Sequence, residues 1–404
     1  MNATLLEATE KFGTPLYVYD AETIARKYET FTSAFDVKHL SVHYACKALG
    51  NPHILKLMKS LGAHVDTVSI NEIQLAMMAG FSAEEIIYTP NMISIEELEQ
   101  AITWGVQMNI GNIRLLEYIG QNHPDLPVGI RINPHIMAGG HKKIMTGHID
   151  SKFGISIHQL PLIRRLVETL DMNIVGIHMH NGSDILDSRV FMQAADVLFN
   201  VALEFADKLE YLDFGSGFKV KYRDEDIETD IISLGKLMSE KFNSYCKEIN
   251  RDLKLYFEPG KYLVSEAGYF LCRCNQVKQT TSTVFIGVNT GFNHLIRPMF
   301  YDAHHDIINL SSTSTDKRVY TVVGHICETD TFGVNRYMPE TKSGDILCIK
   351  NAGAYCYEMS SNYNAHGRPP EVLYVDGKLK LIRKRETLDD LLELVPEFNE
   401  VAVS

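Results

Sequence analysis

Between residues 40 and 260 the chain repeats one pattern: a short apolar run rich in β-branched residues, a polar or glycine turn, then a longer amphipathic stretch. The runs are Val42–Cys46, Val65–Val68, Ile86–Tyr88, Val106–Ile110, Val128–Ile132, Ile174–Met179, Tyr211–Phe214 and Leu255–Phe257, eight in all. Continuous rather than alternating apolar runs suit parallel strands that are covered on both faces. The stretches between them are punctuated as helices. Asn51-Pro52 offers an N-cap and an N1 proline, and Gly62 a stop. Ser69 with Glu72 and Ser94 with Glu97 read as capping boxes, closed by Gly80 and Gly105. The connection from Asn133 to Asp171 is longer and suits a functional loop.

Eight strands alternating with helices predict a (β/α)₈ barrel in an α/β protein, with an open doubly wound sheet as the competing architecture. Past residue 266 the texture turns β-rich. Tyr269–Val277, Ser282–Val288, Val319–Val323, Ile346–Ile349 and Glu371–Val375 are separated by Gly, Asn, Asp and Pro turns. Asp376-Gly377 between Val372–Val375 and Leu379–Ile382 is a hairpin signal, and Thr387–Leu394 reads as a short amphipathic helix. The expected domains are a barrel over 22–266 and a C-terminal β-rich domain over 267–404. Residues 1–21 would contribute to the second domain through the run Leu16–Tyr19.

Composition narrows the function classes. With 51 acidic and 39 basic residues the formal charge is −12, which argues against a nucleic-acid or anionic-membrane surface as the main partner. The seven scattered cysteines form neither a disulfide framework nor a zinc site. No basic, apolar leader stands at the N-terminus and no apolar run has the length of a membrane span, so a cytoplasmic protein is expected.

In a barrel the reacting groups stand at the C-terminal ends of the strands. Those ends hold Lys47, Asp66, Arg131, His180, Gly215-Ser216-Gly217 and Glu258. Lys47 is either a solvated strand end or a partly desolvated amine able to form a Schiff base. His178-Met179-His180 invites a metal reading, but no carboxylate or third histidine stands at ligand spacing in the sequence, so no metal is expected. A flat imidazole beside a bound aromatic ring is the alternative. The glycine turn is either structural or a cradle of backbone N–H groups for a phosphate. Glu258, in Glu258-Pro259-Gly260-Lys261, would be ionised and would seek a cationic partner such as a protonated pyridine nitrogen. Together a lysine, a phosphate turn, a stacking histidine and a carboxylate describe pyridoxal 5′-phosphate (PLP).

At this point the sequence resembles the alanine-racemase-like, fold-type III PLP enzymes, and within them the diaminopimelate decarboxylases. The matching residues run over almost the whole chain. They are Thr14–Asp20, Tyr44–Ala48, His64–Ser69, Lys152-Phe153-Gly154, His180 with Gly182 and Ser183, Gly215–Gly217 and Glu258–Gly260. Further on they are Arg297-Pro298 with Tyr301, Cys327-Glu328 and Gly353-Ala354-Tyr355. The resemblance implies an alanine racemase-like fold and a carbon–carbon lyase that converts meso-2,6-diaminopimelate to L-lysine and carbon dioxide, the last step of lysine biosynthesis. It implies that Lys47 holds PLP covalently, that His180 stacks on its ring, and that Glu258 meets the ring nitrogen. Asp66 and Arg131 would belong to the cofactor site. The Gly215–Gly217 turn, Ser183, the Pro259-Gly260-Lys261 segment and Tyr355 would hold the phosphate. Arg297 and Tyr301, helped by Lys261, would grip the distal carboxylate of the substrate, and Tyr355 would also bind substrate. Glu328 would take the distal ammonium and Cys327 would protonate the carbanion. It also implies a homodimer in which Cys327 and Glu328 serve the partner's site. A thiol beside a carboxylate keeps its proton, as an acid must.

Four positions depart from the family pattern. Lys261 stands where most members have arginine, and lysine offers a compact charge in place of a bidentate fork. Ser216 interrupts the usual triple glycine, Thr329 replaces a serine, and Asn181 replaces an apolar residue. The alternatives are a decarboxylase of another basic amino acid or carboxylated polyamine, such as ornithine or arginine, and a non-catalytic PLP-binding protein. Alanine racemisation would need no distal clamp.

Overall fold

The structure, a computed structural model, describes residues 1–136, 151–180, 182, 184–186, 188–223 and 225–396. It divides into two compact units. One comprises Ala25–Lys221 and Glu225–Leu263; the other comprises Met1–Ile24, Tyr222–Asp224 and Val264–Ser404.

The first unit is a closed parallel barrel. Strand β1 (Leu16–Asp20) belongs to the other unit, so the barrel begins at β2 (Leu40–Ala45). It continues with β3 (His64–Thr67), β4 (Ile86–Tyr88), β5 (Gln107–Ile110), β6 (Val128–Asn133), β8 (Ile174–Met179), β9 (Tyr211–Asp213) and β10 (Lys254–Phe257). Each pairs with the next, and β10 pairs with β2 to complete the ring. The pairing of β5 with β6 closes what would otherwise be an open sheet, which excludes the doubly wound alternative. The two-residue β7 (Ile155–Ser156) adds to β6 outside the ring.

The barrel interior is a fitted layer. Tyr211 lies against Gly129 and Gly176, where a Cβ would run into its ring; it stacks on Tyr256 at 4.6 Å and donates to Asn109 Oδ1 at 2.7 Å. Two glycines on neighbouring strands thus make room for one buried phenol, whose hydroxyl finds the acceptor that burial demands. The helix punctuation also holds. Asn51 caps Pro52–Ser60, Ser94 and Glu97 make a full capping box, and Gly80 and Gly105 end their helices left-handed. Ser69 caps Ile70–Ala79 through Glu72 N–H, but the Glu72 carboxylate reaches back to Val68 N–H, one residue earlier than a capping box requires.

In the second unit β1 lies between β11 (Gly268–Gln279, antiparallel) and β17 (Glu371–Val375, parallel). The mixed sheet runs on through β12 (Val284–Val288), β14 (Lys317–Val323) and β15 (Thr331–Pro339), while β16 (Ile346–Ile349) pairs with β11 and carries β13 (Ile307–Asn309) on its other side. β17 turns into β18 (Lys378–Arg383) through Asp376 and Gly377, both at positive φ (51° and 68°), the geometry a two-residue hairpin favours. Leu5, Ala8, Leu16, Val18, Leu271, Cys348 and Val372 form its core, so the N-terminal helix Asn2–Phe12 is packed by its apolar stripe. The tail helix is Leu388–Leu392, capped by Thr387.

Candidate active site

The barrel gathers its charged residues at the C-terminal ends of its strands. Lys47 sits in the single turn Cys46–Ala48 that follows β2, and its Nζ lies 2.6 Å from Asp66 Oδ2 on β3. Burial and the charge of Glu258 push the Asp66 carboxyl up to about 7, against the pull of Lys47. The Lys47 turn is held from below by the Glu258-Pro259-Gly260 segment. Ala45 N–H donates to Pro259 O, and a Cβ on Gly260 would lie 2.9 Å from Ala48 Cβ and 3.0 Å from Ala45 Cβ. Glycine is required there because two backbone segments meet.

Glu258 and His178 are both buried, with His178 Nε2 3.2 Å from Glu258 Oε2. Burial draws His178 down, so the imidazole is neutral and the contact is an N–H donated to a carboxylate. Burial works to raise Glu258, yet His178 and Lys47 hold the carboxyl below its usual range. Asp213 beside it is pushed up by burial and by the Glu258 charge. Glu258 Oε1 is fully buried and has no hydrogen-bond partner among the described residues. A charged oxygen in that state needs a donor from a bound group. Arg131, on β6, is buried with its guanidinium 5.1 Å from the Phe153 ring centroid, and faces Glu258, Asp66 and Asp213.

His180 Nδ1 accepts the Ser216 N–H at 3.1 Å, which places the ring proton on Nε2, and burial with Arg131 nearby takes its pKa down to about 3. The imidazole is a fixed neutral plate. Gly215 (φ 60°) and Gly217 (φ 125°) are both in conformations that side chains resist. A Cβ on Gly215 would lie 2.6 Å from Met179 O, and one on Gly217 2.5 Å from Gly182 O. The Gly215 N–H goes to Asp213 Oδ1 at 2.9 Å and the Ser216 N–H to His180. Two amides of the expected phosphate cradle therefore hold the site's own side chains. Lys261 Nζ lies 2.5 Å from Asp184 Oδ1, a partner the sequence reading did not name. Ser183 and Asn181 lie outside the described residues.

The second unit holds the remaining candidates in two groups. Arg297 is buried at the start of the helix Arg297–Tyr301. Its Nη2 donates to Tyr222 OH at 3.1 Å and its Nε to His305 Nε2 at 3.4 Å, while its guanidinium lies 5.7 Å from the Tyr301 ring. His305 Nδ1 donates to Lys350 O at 2.9 Å, which leaves Nε2 as an acceptor; burial and Arg297 bring its pKa to about 3. Tyr355 is half-buried at φ 57° after Gly353, whose backbone is in contact with that of Gly268. Cys327 and Glu328 are exposed and contact Tyr363 and Asn364.

Sequence reasoning missed His178 and Asp213 as site residues, as well as Asp184, Tyr222, His305, Tyr363 and Asn364. Asp213, two residues before Gly215, and His178, in the His-x-His pair, had signals; His305 lies eight residues from Arg297, and Asp184, Tyr222, Tyr363 and Asn364 meet partners 35 or more residues away. The metal argument needs correction. Barrel closure supplies the carboxylates that sequence spacing lacked, and ligand atoms of His178, Asp213 and Glu258 lie within 4.8 Å of one another. With His178 bonded to Glu258 Oε2, the open Glu258 Oε1 suits a single N–H donor.

That arrangement defines a pyridoxal site in a barrel, and residues 21–265 match the family model described as pyridoxal-dependent decarboxylase, pyridoxal binding domain. Over 402 residues the chain is 37% identical to diaminopimelate decarboxylase of Methanothermobacter thermautotrophicus, covering 96% of this chain and 93% of that one. The Escherichia coli enzyme of that name is 35% identical, with 96% of each chain covered. The crystal structure of diaminopimelate decarboxylase from Helicobacter pylori complexed with L-lysine superposes with a TM-score of 0.89 at 30% identity, covering 96% of this chain and 98% of that one. The chain belongs to the diaminopimelate decarboxylase family.

Proposed function

We infer that the chain decarboxylates meso-2,6-diaminopimelate to L-lysine and carbon dioxide, the last step of lysine biosynthesis, as a cytoplasmic PLP-dependent homodimer. The observation that carries the cofactor's place is the buried Glu258, bonded to His178 through one carboxylate oxygen and with the other still open. A pyridine N–H fits that oxygen. Bound PLP supplies an electron sink for the pair left behind by the departing carboxylate.

The chain's residues do the rest. Lys47 would hold the cofactor, with Asp66, 2.6 Å from its Nζ, placed to take up or return a proton there. Glu258 keeps the pyridine nitrogen protonated, which favours electron withdrawal in the transition state. His180, uncharged and fixed by Ser216, covers the ring. The Gly215–Gly217 turn, Ser183, Gly260, Lys261 and Tyr355 hold the phosphate end. Arg297 and Tyr301 grip the distal carboxylate, and Glu328 takes the distal ammonium. Cys327 donates the proton that replaces carbon dioxide at the α-carbon, and in the dimer Cys327 and Glu328 act in the partner's site. Lys261 is paired with Asp184, so Arg297 carries most of the charge toward the distal carboxylate. The ornithine and arginine reading is not favoured, because the curated relatives are diaminopimelate decarboxylases.

Expression of the chain in a bacterium deleted for this step should restore growth without lysine, and Lys47→Ala should not. Failure of the wild-type chain to restore growth, with folded protein present, would count against the assignment.

A further inference from the structure

Cys327 and Glu328 are held by a segment that has had no role so far. Asn364 Oδ1 accepts the Cys327 N–H at 3.3 Å, and Asn364 Nδ2 donates to Cys327 Sγ at 3.3 Å. One amide thus grips the residue by its backbone and by its sulfur. Tyr363 donates its O–H to Glu328 Oε1 at 2.9 Å, and the same oxygen lies 3.6 Å from Cys327 Sγ. A phenol has a single proton, so with that proton given to Glu328 the thiol is the donor toward the phenol oxygen. The Tyr363 ring is stacked on Phe292, with centroids 5.5 Å apart and planes at 27°.

The backbone beneath this contact is unusual. Asn364 and Ala365 are both at φ 56°, two successive non-glycine residues in the left-handed region. Asparagine tolerates that region better than most residues, and alanine has no such help. Strain of this kind persists where the surroundings over-determine it, and it concentrates at functional sites. Here it accompanies an amide aimed at Cys327.

We propose that Asn364 and Tyr363 are positioning residues for proton delivery by Cys327: Asn364 orients the thiol and stabilises the charge left on sulfur, and Tyr363 holds Glu328 beside it. This rests on the reading of Cys327 as the acid. In the step the S–H bond breaks, a C–H bond forms at the α-carbon, and sulfur keeps the electron pair as thiolate. The Asn364 N–H then makes a charge-assisted bond to that sulfur, and solvent water returns the proton.

Cys327 is the one exposed cysteine of the seven, so its alkylation can be followed in the intact, PLP-loaded protein by peptide mass. Asn364→Gly removes the amide and suits the left-handed backbone; Tyr363→Phe keeps the ring on Phe292. In Asn364→Gly the pH midpoint for alkylation by iodoacetamide should rise. The rate near neutrality should fall about three- to tenfold, the net worth of one ordinary hydrogen bond. Its kcat on meso-diaminopimelate should fall about tenfold with KM little changed, as for a contact used only in the transition state. In Tyr363→Phe the KM should rise while the alkylation midpoint does not. A wild-type midpoint and kcat in Asn364→Gly, alongside an inactive Cys327→Ser, would overturn the proposal alone. Full kcat in Cys327→Ser would remove the acid reading and the proposal with it.

Discussion

His178 and Glu258 stand 80 residues apart in the chain and 3.2 Å apart inside the barrel. The bond fixes one carboxylate oxygen and leaves the other, Oε1, buried and open. A buried carboxylate with an unmet oxygen costs several kcal/mol, so this arrangement stores an affinity for a cationic donor. Glu258→Gln should keep the fold, since it removes a buried charge, yet lower kcat by about 10²- to 10³-fold, the usual range for loss of one preorganised electrostatic group. Steady-state kinetics decide the point, and a loss of less than tenfold would show that the Glu258 charge matters little.

Tyr222 and His305 give Arg297 its direction, with bonds of 3.1 and 3.4 Å to separate nitrogens of the guanidinium. Tyr222→Phe removes one hydroxyl and no ring. The KM for meso-diaminopimelate should rise about three- to tenfold, the net worth of one hydrogen bond that orients the guanidinium. Binding of 1,5-diaminopentane, which is L-lysine without its carboxylate, should change less. Equal weakening of both ligands, read by calorimetry, would place Arg297 outside the carboxylate clamp.

Gly215 admits no side chain. A methyl there would meet Met179 O at 2.6 Å and His180 Nδ1 at 2.7 Å, on a backbone at φ 60°. Gly215→Ala should therefore displace His180 and weaken cofactor retention about tenfold or more, a 1 Å misplacement being enough for a large loss. Absorbance of the cofactor after gel filtration measures this. Wild-type occupancy would contradict the role given to the turn.

His43 is buried on β2, and burial with His64 nearby takes its pKa from the usual 6.5 to about 3. The unfolded chain therefore binds a proton at His43 between about pH 6.5 and pH 3 that the folded chain refuses. Stability contributed by the neutral ring is present above pH 6.5 and falls as pH drops through that window, by about 1.4 kcal/mol per pH unit. Asp66, raised to about 7, acts in the opposite sense over its own window, so the test is a difference between proteins. Urea unfolding of His43→Gln and wild type at about pH 7 and pH 5 should show the variant losing about 1 to 2 kcal/mol less on acidification. Parallel losses would show that His43 is protonated in the fold.

The barrel was legible because its strands are buried on both faces and so lack alternation, and because Asn51, Ser94, Gly80 and Gly105 punctuate the helices locally. β15 escaped detection because its residues are part exposed and interrupted by Gly333 and Asn335, and β13 because three residues carry too little pattern. In the site, Lys47, His180, the glycine turn and Glu258 were readable from the resemblance and from their place at strand ends. Asp184, Tyr222, His305, Tyr363 and Asn364 were not, since each meets its partner across a large sequence separation or through side-chain geometry. Tyr222 and Arg297 are 75 residues apart, and no local pattern links them. The same holds for the carboxylates that gather around His178, which sequence spacing could not anticipate.

The central claim is that this chain turns meso-diaminopimelate into L-lysine with PLP. The direct measurement is carbon dioxide release by the purified, PLP-loaded protein from meso-diaminopimelate, with L-ornithine, L-arginine and D-lysine run in parallel and the amino-acid product identified. Release from meso-diaminopimelate alone, with one equivalent of L-lysine formed, is the expected result and would show that Lys261 is a tolerated substitute for the family's arginine. Faster release from a substrate without the distal carboxylate would contradict the account, leaving only the barrel and its cofactor site standing.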